Sequence, residues 1–591
     1  MKYSDYICDN LKLVEGYTHC YFVAGGNIMH LLDSVRSRFT CIPVVNEVAA
    51  GIAVEYFNET NEEGHKAFAL VTAGPGLTNI VTAIAGAFLE RRELLVIGGQ
   101  VKRSDLKSTH LRQRGIQEID GRAIVEPITN ESVLIREALE FGSIRKFLKS
   151  KRKPGPVFLE IPLDVQAEQV NYEPSENSAY FDADDEEIVI GFASEVVENM
   201  KSAKRPIILL GGGLSRDSAK KLNYLLRKTR IPVMTTWNGA DRYGSDQDNY
   251  WGRPNTWGQR AANILIQQSD CVIAIGSRLG IQQTGFAWKE FAPLAKIFQI
   301  DIDQFEIDKG HPAIYKGLAC DAGKFLEILL NTLEPEHINV NEWLEFGKKV
   351  RSAFPLNDEM NSTSQGFIDP FHFAEELSLK LSESDVVIPC SSGGAFTVMM
   401  QAFNPKFGQI IVSNKGLASM GYGLAGAIGA SESTQKRTIL VEGDGGFAQN
   451  LQELGTLKQR NLNLKIFIFS NSGYASIRMT QRNYFGGAYL GCDVETGLGM
   501  PNWEFIAKAY DLPYFEIENQ ALMSEELDTI LNIQGPCLLI LKVDPEQTYY
   551  PKITSRVLPD GSMASNPLHL MTPDLSPDQI KAYLPYLVDR I

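Results

Sequence analysis

Short runs of apolar residues alternate with amphipathic stretches along most of the chain. The runs at 67–71, 206–210 and 438–441 each lead into a glycine turn and then into a stretch with helical periodicity. Strands that are apolar throughout are buried on both faces, and their alternation with helices is typical of parallel sheets. The pattern predicts an α/β protein made of three doubly wound parallel-sheet domains.

Two polar segments interrupt this pattern, at 173–187 and 355–366, and we interpret them as linkers. They divide the chain into parts of ordinary domain size. The domains expected from this division are 1–175, 188–350 and 367–555, followed at 556–591 by an irregular, proline-containing C-terminal arm.

Composition and charge exclude several classes of protein. The 591 residues are 44% hydrophobic and 22% charged, which excludes a disordered or fibrous chain. A net charge of −15 argues against general nucleic-acid or anionic-membrane binding. The eight cysteines form no CxxC pair, the N-terminal residues lack an apolar signal core, and no uninterrupted apolar run is long enough to span a bilayer. We therefore expect a cytoplasmic protein without nucleic-acid or membrane partners.

The strongest chemical signal is a Gly-Asp-Gly-Gly motif at 443–446, between an apolar strand and a stretch at 449–459 that is expected to be helical. Glycines permit a sharp turn, and free amides at a helix start bind diphosphates. A gap of 25 residues separates Gly445 from Asn471, which fits one helix and one strand and brings Asp444 and Asn471 to neighbouring strand ends. A carboxylate, an amide oxygen and a backbone carbonyl suit Mg²⁺ that bridges two phosphate oxygens. An ordinary βα turn with a capping asparagine is the alternative.

Three further segments are weaker signals when each is taken alone. Glu47 ends a strand and opens a helix of small residues, upstream of a Gly-Pro-Gly turn at 74–76. A lone glutamate in that place is usually only a favourable charge at a helix N-terminus. A glycine-rich stretch at 413–430 and a Ser-Ser-Gly-Gly segment at 391–394 also fit purely structural loops.

Together and in this order, the motifs resemble those of the thiamine diphosphate enzymes. The resemblance implies that Asp444, Asn471 and the carbonyl of Gly473 hold Mg²⁺. It also implies that Glu47 shares a proton with the pyrimidine ring of the cofactor, and that Met420 supports the cofactor in its bent form. The other cofactor contacts that it implies are Gly76, Asn79, Ser392, Gly393, Gly443, Gly445 and Gly446.

Three details refine the resemblance. The loop at 112–120 is similar to the one that carries the family's active-site glutamine, here Gln117. The His-His pair of simple pyruvate decarboxylases is missing, since only His110 lies in this region, so release of a free aldehyde is not the expected outcome. Ser470 stands where the family usually has the first of two asparagines, but the implied metal ligand is the second, Asn471.

The middle block resembles the central domain of acetolactate synthases, which binds FAD. Without that resemblance it would be interpreted as a structural Rossmann-like domain, because it lacks a full GxGxxG motif. Lys153 stands at a position that is often arginine in the FAD-binding relatives. The FAD contacts that the resemblance implies are Gly211, Gly212, Gly213, Arg278 and Asp301.

Two departures concern the acceptor substrate. Gln282 stands where acetohydroxyacid synthases have an arginine that binds the acceptor carboxylate, and Thr480 where they have a tryptophan. Loss of a charge-assisted contact of this kind removes on the order of 1.5–3 kcal/mol. The tail at 555–567 also resembles that of carboligases in branched-sugar pathways, whose acceptors are nucleotide-linked ketosugars.

These observations predict a carboligase that decarboxylates pyruvate or a similar 2-keto acid and transfers the acyl-anion equivalent to a ketone or aldehyde, with a nucleotide-linked ketosugar among the candidates. An acetolactate synthase that condenses two 2-keto acids is one alternative, and a C–C lyase or hydrolase of the same superfamily is another. In the family, the two halves of each site face each other across a subunit interface. The resemblance therefore implies a homodimer or a homotetramer.

Overall fold

The computed structural model describes residues 1–108, 110–149, 153–172 and 185–590. The first domain is a six-stranded parallel sheet with the order β2-β1-β3-β4-β6-β5. Its strands are β1 (Tyr17–Phe22), β2 (Thr40–Pro43), β3 (Lys66–Val71), β4 (Leu94–Gln100), β5 (Glu131–Leu134) and β6 (Pro156–Pro162). Its helices are α1 (Tyr3–Leu13), α2 (Met29–Val35), α3 (Glu47–Thr60), α4 (Pro75–Glu90), α5 (Gly121–Val125), α6 (Phe141–Leu148) and α7 (Leu163–Ala167).

The central domain is a five-stranded parallel sheet with the order β11-β10-β9-β7-β8. Its strands are β7 (Pro206–Leu210), β8 (Val233–Thr235), β9 (Cys271–Ile275), β10 (Lys296–Asp301) and β11 (Ile314–Ala319). Its helices are α8 (Glu186–Ser202), α9 (Arg216–Thr229), α10 (Arg260–Gln267), α11 (Ile281–Thr284), α12 (Gln304–Ile307), α13 (Ala322–Thr332) and α14 (Asn341–Ala353). Most of the first predicted linker, residues 173–184, lies outside the described residues, and α8 begins where that linker was expected to end.

The third domain is again a six-stranded parallel sheet, with the order β13-β12-β14-β15-β17-β16. Its strands are β12 (Val386–Ile388), β13 (Ile410–Ile411), β14 (Thr438–Gly443), β15 (Leu464–Ser470), β16 (Tyr514–Ile517) and β17 (Cys537–Lys542). Its helices are α15 (Pro370–Lys380), α16 (Gly393–Ala402), α17 (Tyr422–Thr434), α18 (Asp444–Phe447), α19 (Leu454–Arg460), α20 (Ala475–Phe485), α21 (Trp503–Ala509) and α22 (Met523–Leu531). The three doubly wound parallel sheets confirm the predicted fold class.

The predicted continuous helix at 449–459 is wrong. The helix that begins at Asp444 already ends at Phe447, a 3₁₀ turn spans Leu451–Glu453, and α19 starts only at Leu454. The interruption has a tertiary cause, because the Asn450 side chain donates a 2.7 Å hydrogen bond to the Gly421 carbonyl. Helical periodicity along the chain does not report such a contact.

The predicted irregular C-terminal arm is also wrong in part. It contains the hairpin β18 (Ser555–Val557) and β19 (Met563–Ser565) and the helix α23 (Pro577–Tyr583). Pro577 stands in the first turn of α23, where proline is tolerated, and Ser576 caps that turn. The segment packs on the central domain through four buried apolar side chains, Leu568, Met571, Leu584 and Leu587.

Helices α3 and α17 join the first and third domains. They lie between the two sheets and belong to one continuous apolar core. Glycine permits their close approach, since a Cβ atom at Gly429 would lie 2.0 Å from the Ala53 carbonyl oxygen and one at Gly426 would lie 2.7 Å from the Tyr56 ring. Glu47 and Met420 lie at or next to the N-termini of these two packed helices.

Candidate active site

Glu47 is the first residue of α3, held at the carboxyl end of the first sheet. Asn46 caps the helix by accepting a hydrogen bond from the Val48 amide at 3.1 Å. The Glu47 side chain is 7% exposed, and its Oε2 accepts a 2.9 Å hydrogen bond from Asn79 Nδ2 on α4. Gly76 is close to the same carboxylate, because a Cβ atom there would lie 3.5 Å from Glu47 Oε1. The structure therefore brings together three of the residues expected to contact the cofactor.

The loop that carries Gln117 lies against the Gly-Pro-Gly turn. Gln117 has a φ of +64°, and a Cβ atom at Gly74 would meet its carbonyl oxygen at 2.5 Å, so only glycine fits there. The buried Glu118 accepts hydrogen bonds from the amides of Arg114 and Gly115 and fixes this conformation. The Gln117 side chain is exposed next to the turn.

The carboxylate of Asp444 is almost fully buried and is surrounded by backbone amides. It accepts hydrogen bonds from the amides of Gly445, Asn471 and Gly473 at 2.7, 3.0 and 3.2 Å. Its residue is 1% exposed, and burial raises its pKa to about 6. A buried negative charge without a positive charge beside it is unfavourable even when it accepts hydrogen bonds. A divalent cation is therefore a suitable partner for this carboxylate.

Asn471 and Gly473 lie beside Asp444, as their spacing predicted. The Gly473 carbonyl faces the turn, since a Cβ atom at Gly445 would be 3.4 Å from its oxygen. A carboxylate, an amide oxygen and a carbonyl form an oxygen donor set of the kind that Mg²⁺ prefers. Within the described part of the chain, no cluster of three or more His, Cys, Asp or Glu side chains could hold a metal. Any metal at this turn would therefore need these mixed ligands.

Sequence reasoning missed how Arg478 supports this turn. Its guanidinium donates a 2.9 Å hydrogen bond to the Asn471 carbonyl and a 3.2 Å hydrogen bond to Asp493. Arg478 is only 6% exposed. An arginine seven residues after the candidate metal asparagine was visible in the sequence, but its burial and its contact with Asp493 were not.

Met420 and the Ser-Ser-Gly-Gly loop lie together next to the metal turn. Ser391 Oγ donates a 2.5 Å hydrogen bond to the carbonyl of Ser419, the residue before Met420. Met420 itself is 40% exposed, which is unusual for a large apolar side chain beside a buried core. Cβ atoms at Gly393 and Gly443 would meet no atom within 4 Å, so both positions border open space. Ser392 is the N-cap residue of α16, immediately before Gly393.

A second residue that sequence reasoning missed is Glu453. Its Oε1 accepts hydrogen bonds from the amides of Val45 and Asn46 at 3.2 and 3.0 Å. Thr456 donates a further 2.7 Å hydrogen bond to its Oε2. A carboxylate of the third domain therefore orients the turn that carries Glu47 in the first domain.

A cavity of about 790 Å³ lies between the central domain and its two neighbours. Its wall includes Gly212, Gly213, Arg278 and Asp301. Gly211 supports the turn from behind, because a Cβ atom there would meet the Gly276 carbonyl at 2.1 Å. Burial raises the pKa of Asp301 to about 6. These five residues, predicted as FAD contacts, are thus gathered at one cavity.

The two residues predicted to contact the acceptor do not lie at the same place: only one of them lines the cavity. Gln282 lies on α11 in the wall of this cavity, together with Arg278. Thr480 lies on the exposed helix α20, does not line that cavity, and donates its hydroxyl proton to the Ser476 carbonyl at 3.0 Å. Lys153, the other departure, forms an ion pair with Asp303 at 2.5 Å.

Three family models match successive parts of the chain. They are described as the N-terminal TPP binding domain, the central domain and the C-terminal TPP binding domain of thiamine pyrophosphate enzymes, and they match residues 1–124, 193–329 and 392–541. Among the described residues, no helix combines the length and the apolar character needed to cross a membrane.

The chain is also similar along nearly its whole length to curated proteins. It is 28% identical to the acetolactate synthase large subunit of Pyropia yezoensis, over 91% of each chain. It is 28% identical to the acetolactate synthase isozyme 2 large subunit of Escherichia coli strain K12, over 94% of this chain and 98% of the relative. The probable acetolactate synthase large subunit of Methanocaldococcus jannaschii is 29% identical over 91% of this chain and 90% of its own.

The three matched domains, in this order and with these motifs, define a thiamine diphosphate-dependent enzyme. The chain belongs to the acetolactate synthase-like family of these enzymes. The predicted assignment to thiamine diphosphate-dependent transferases of the carboligase type is thereby confirmed.

Proposed function

We propose that this enzyme uses Mg²⁺ and thiamine diphosphate to decarboxylate a 2-keto acid such as pyruvate and to join the remaining acyl unit to a second carbonyl compound. One carboxylate leaves as CO₂, one C–C bond forms, and the acceptor carbonyl becomes a hydroxyl group. The reaction is redox neutral. When bound, thiamine diphosphate supplies the electron sink that this chemistry needs.

The observation that carries the proposal is the pair of carboxylate sites at the carboxyl ends of two related sheets. Asp444, Asn471 and the Gly473 carbonyl would hold Mg²⁺ together with the cofactor diphosphate, which the open positions at Gly393 and Gly443 would accommodate. The exposed Met420 side chain would support the cofactor ring from below.

In this proposal, Glu47 exchanges a proton with a ring nitrogen of the bound cofactor. Asn79 orients its Oε2 by a 2.9 Å hydrogen bond, which leaves Oε1 available to a bound ring nitrogen. A carboxyl group placed in this way gives and takes a proton without leaving its position. Gln117, exposed beside the Gly-Pro-Gly turn, would contact substrate or cofactor from the same side.

The central cavity would hold FAD. Its volume of about 790 Å³ suits a ligand of dinucleotide size, and the Gly211–Gly213 turn permits close approach of a backbone-bound phosphate. Arg278 would contact the diphosphate, and Asp301 would accept hydrogen bonds from a sugar hydroxyl. The absorption spectrum of the purified protein tests this assignment.

A second 2-keto acid is our first candidate for the acceptor. Relatives similar over nine-tenths of the chain are named acetolactate synthases, and these names favour the condensation of two 2-keto acids. The second candidate is a ketone or aldehyde without a carboxylate, which includes nucleotide-linked ketosugars. It is favoured by the neutral Gln282 in the cavity wall and by the small Thr480.

We further propose a homodimer, or a tetramer formed by two dimers, in which two chains share each site. Exposed apolar side chains surround both halves of the site, with Ile116 86%, Val45 58%, Phe485 66% and Leu490 77% exposed, and a second subunit would cover them. None of the eight cysteines, all of which lie in the described part of the chain, forms a disulfide, which favours a reducing compartment such as the cytoplasm.

Product analysis tests the proposal and separates its two acceptors. The protein, loaded with Mg²⁺ and thiamine diphosphate, is given pyruvate alone and pyruvate with a large excess of a simple ketone. We expect cofactor-dependent loss of CO₂ in both mixtures, and mass spectrometry then gives the ratio of acetolactate to mixed product. Mixed product in excess would favour the carboxylate-free acceptor, and the Gln282→Arg variant should then shift the ratio towards acetolactate. Absence of cofactor-dependent pyruvate consumption would contradict the proposed function itself.

A further inference from the structure

A half-buried lysine that has no carboxylate within ion-pair distance among the described residues lies at one end of the central cavity. Lys415 belongs to the loop between β13 and α17 and lines the cavity together with Gly416. Its ammonium group lies 5.0 Å from the ring centroid of Phe396 and 5.7 Å from that of Trp237. These ring faces attract the charge, but they do not replace a hydrogen-bond acceptor.

Carboxylates neutralise the other basic side chains of this wall, with one exception. Five basic side chains of the wall form ion pairs, which are Arg91–Asp303, Arg92–Glu55, Arg216–Asp241, Lys220–Glu62 and Arg242–Asp241. Among the residues that the structure describes, Arg278 and Lys415 are the two basic groups of the wall without a carboxylate within ion-pair distance. The Glu90 carboxylate, which attracts Lys415, is instead hydrogen-bonded by the Gly416 amide and by Asn238.

Trp237 lies at the same end of the cavity and is 5% exposed. Burial lowers the pKa of Lys415, because the ammonium group is poorly solvated there. A cation in the cavity wall that has no carboxylate within ion-pair distance among the described residues is suited to an anionic oxygen ligand.

The position of Lys415 indicates which ligand this is. Lys415 precedes Met420 by five residues, and its neighbour Phe396 lies on α16, the helix that begins at the Ser-Ser-Gly-Gly loop. This end of the cavity therefore borders the loops proposed to hold thiamine diphosphate. The neutral Gln282 is part of the same wall.

We propose that Lys415 binds the carboxylate of a 2-keto acid acceptor. The inference rests on the proposed carboligase reaction and specifies its acceptor. Joining two 2-keto acids brings an anionic carboxylate close to a developing carbanion in a water-poor site, so a fixed cation is needed beside it. Lys415 supplies that charge in a wall where position 282 is neutral.

The test compares an anionic acceptor with its uncharged isostere. Pyruvate labelled with ¹³C in its acyl unit is the donor, and 2-ketobutyrate or its methyl ester is the acceptor. In Lys415→Met, we expect the KM for 2-ketobutyrate to rise by about 10- to 100-fold, while the KM for the ester stays unchanged. Lys415→Arg should retain most of the preference for the anion. Lys220→Met is the matched control, because Lys220 lines the same cavity but is paired with Glu62.

Three results would overturn the proposal. One is an equal change for the acid and the ester, which would indicate a structural role for Lys415. Another is an unchanged preference for the acid in Lys415→Met. The third is loss of the bound-flavin absorbance in that variant with unchanged acceptor preference, which would assign Lys415 to a flavin. Thiamine diphosphate-dependent pyruvate consumption by the wild type is measured first, so that failure of the carboligase reaction is distinguished from failure of this assignment.

Discussion

The first and third domains share one scaffold but place their carboxylates at different turns. Both sheets have six parallel strands in the same relative order, and in both a glycine turn follows the third strand, at 74–76 and at 443–445. In the first domain that turn has no ionisable side chain, and the carboxylate of Glu47 starts the helix after the second strand. In the third domain Asp444 lies on the glycine turn itself, and the apolar Met420 precedes the helix after the second strand.

The two carboxylates also differ in their hydrogen bonds and in their exposure. Asp444 accepts three backbone hydrogen bonds and is 1% exposed, so it is a fixed anchor. Within the described residues, Glu47 has one side-chain partner, Asn79, and is 7% exposed. We therefore propose that Asp444 serves a cation and that Glu47 serves a proton, and the variants below test this division from the largest expected effect to the smallest.

Glu47→Gln should have the largest effect on turnover. The amide keeps the shape of the side chain but cannot exchange a proton, so we expect kcat to fall by about 10²–10⁴-fold while folding and cofactor binding are retained. The direct measurement is proton exchange at C2 of the bound cofactor, followed by NMR. Glu63→Gln, an exposed glutamate just after α3, is the control. Wild-type exchange in Glu47→Gln would exclude Glu47 from the proton transfer.

Asp444→Ala and Asn471→Ala should lower the affinity for the cofactor more than they lower the rate of the catalysed reaction. Each removes one oxygen ligand from a site shared with the diphosphate, and we expect Mg²⁺-dependent cofactor affinity to fall at least about tenfold. Excess Mg²⁺ and cofactor should restore part of the activity, whereas they should not rescue Glu47→Gln. Titration of the cofactor by fluorescence gives the affinities. If the affinities match that of the wild type, the proposed metal site is wrong.

Mixing inactive Glu47→Gln chains with inactive Asp444→Ala chains tests whether two subunits share a site. If they do, about half of randomly mixed dimers are hybrids, and each hybrid has one intact site, so about a quarter of wild-type activity should return. Subunit exchange is induced by mild denaturation and dilution. No recovery despite hybrids detected by native mass spectrometry would indicate that each site lies within one chain.

The smallest effect concerns a buried carboxyl group beneath the Gln117 loop. Burial raises the pKa of Glu160 from 4.5 to about 8, and Gln100 donates one hydrogen bond to it and another to the Ile119 carbonyl. Its stabilising contribution is therefore fully present below about pH 4.5 and is lost as the pH rises through about 8. Urea unfolding should show a flatter pH dependence in Glu160→Gln than in the wild type across this window. Parallel curves would show that Glu160 titrates equally in both states.

The sequence predicted the elements that depend on local pattern and spacing. Strands β3, β7 and β14 begin within one residue of the apolar runs that predicted them, and each ends at most two residues beyond its run. The spacing from Gly445 to Asn471 correctly predicted that Asp444 and Asn471 would meet. Both predictions succeed because parallel strands expose their carboxyl ends at one edge, so chain spacing determines which turns become neighbours.

The elements that were predicted wrongly depend on contacts between distant parts of the chain. The helix expected at 449–459 is interrupted because Asn450 bonds Gly421, and the C-terminal arm is ordered because its leucines complete the core of the central domain. The roles of Glu453 and Arg478 were missed for the same reason. Their partners are backbone groups and a carboxylate that periodicity along the chain cannot locate.

The sequence by itself therefore determined the class of fold and the family, because glycine turns and apolar strands encode local conformation. The tertiary structure alone showed that the first and third domains share one strand order, and that Gln282 and Lys415 line one cavity. It alone could also show that carboxylates neutralise most cations of that cavity, whereas Arg278 and Lys415 have no carboxylate within ion-pair distance among the described residues. Such facts follow from packing between domains, where residues hundreds of positions apart become neighbours.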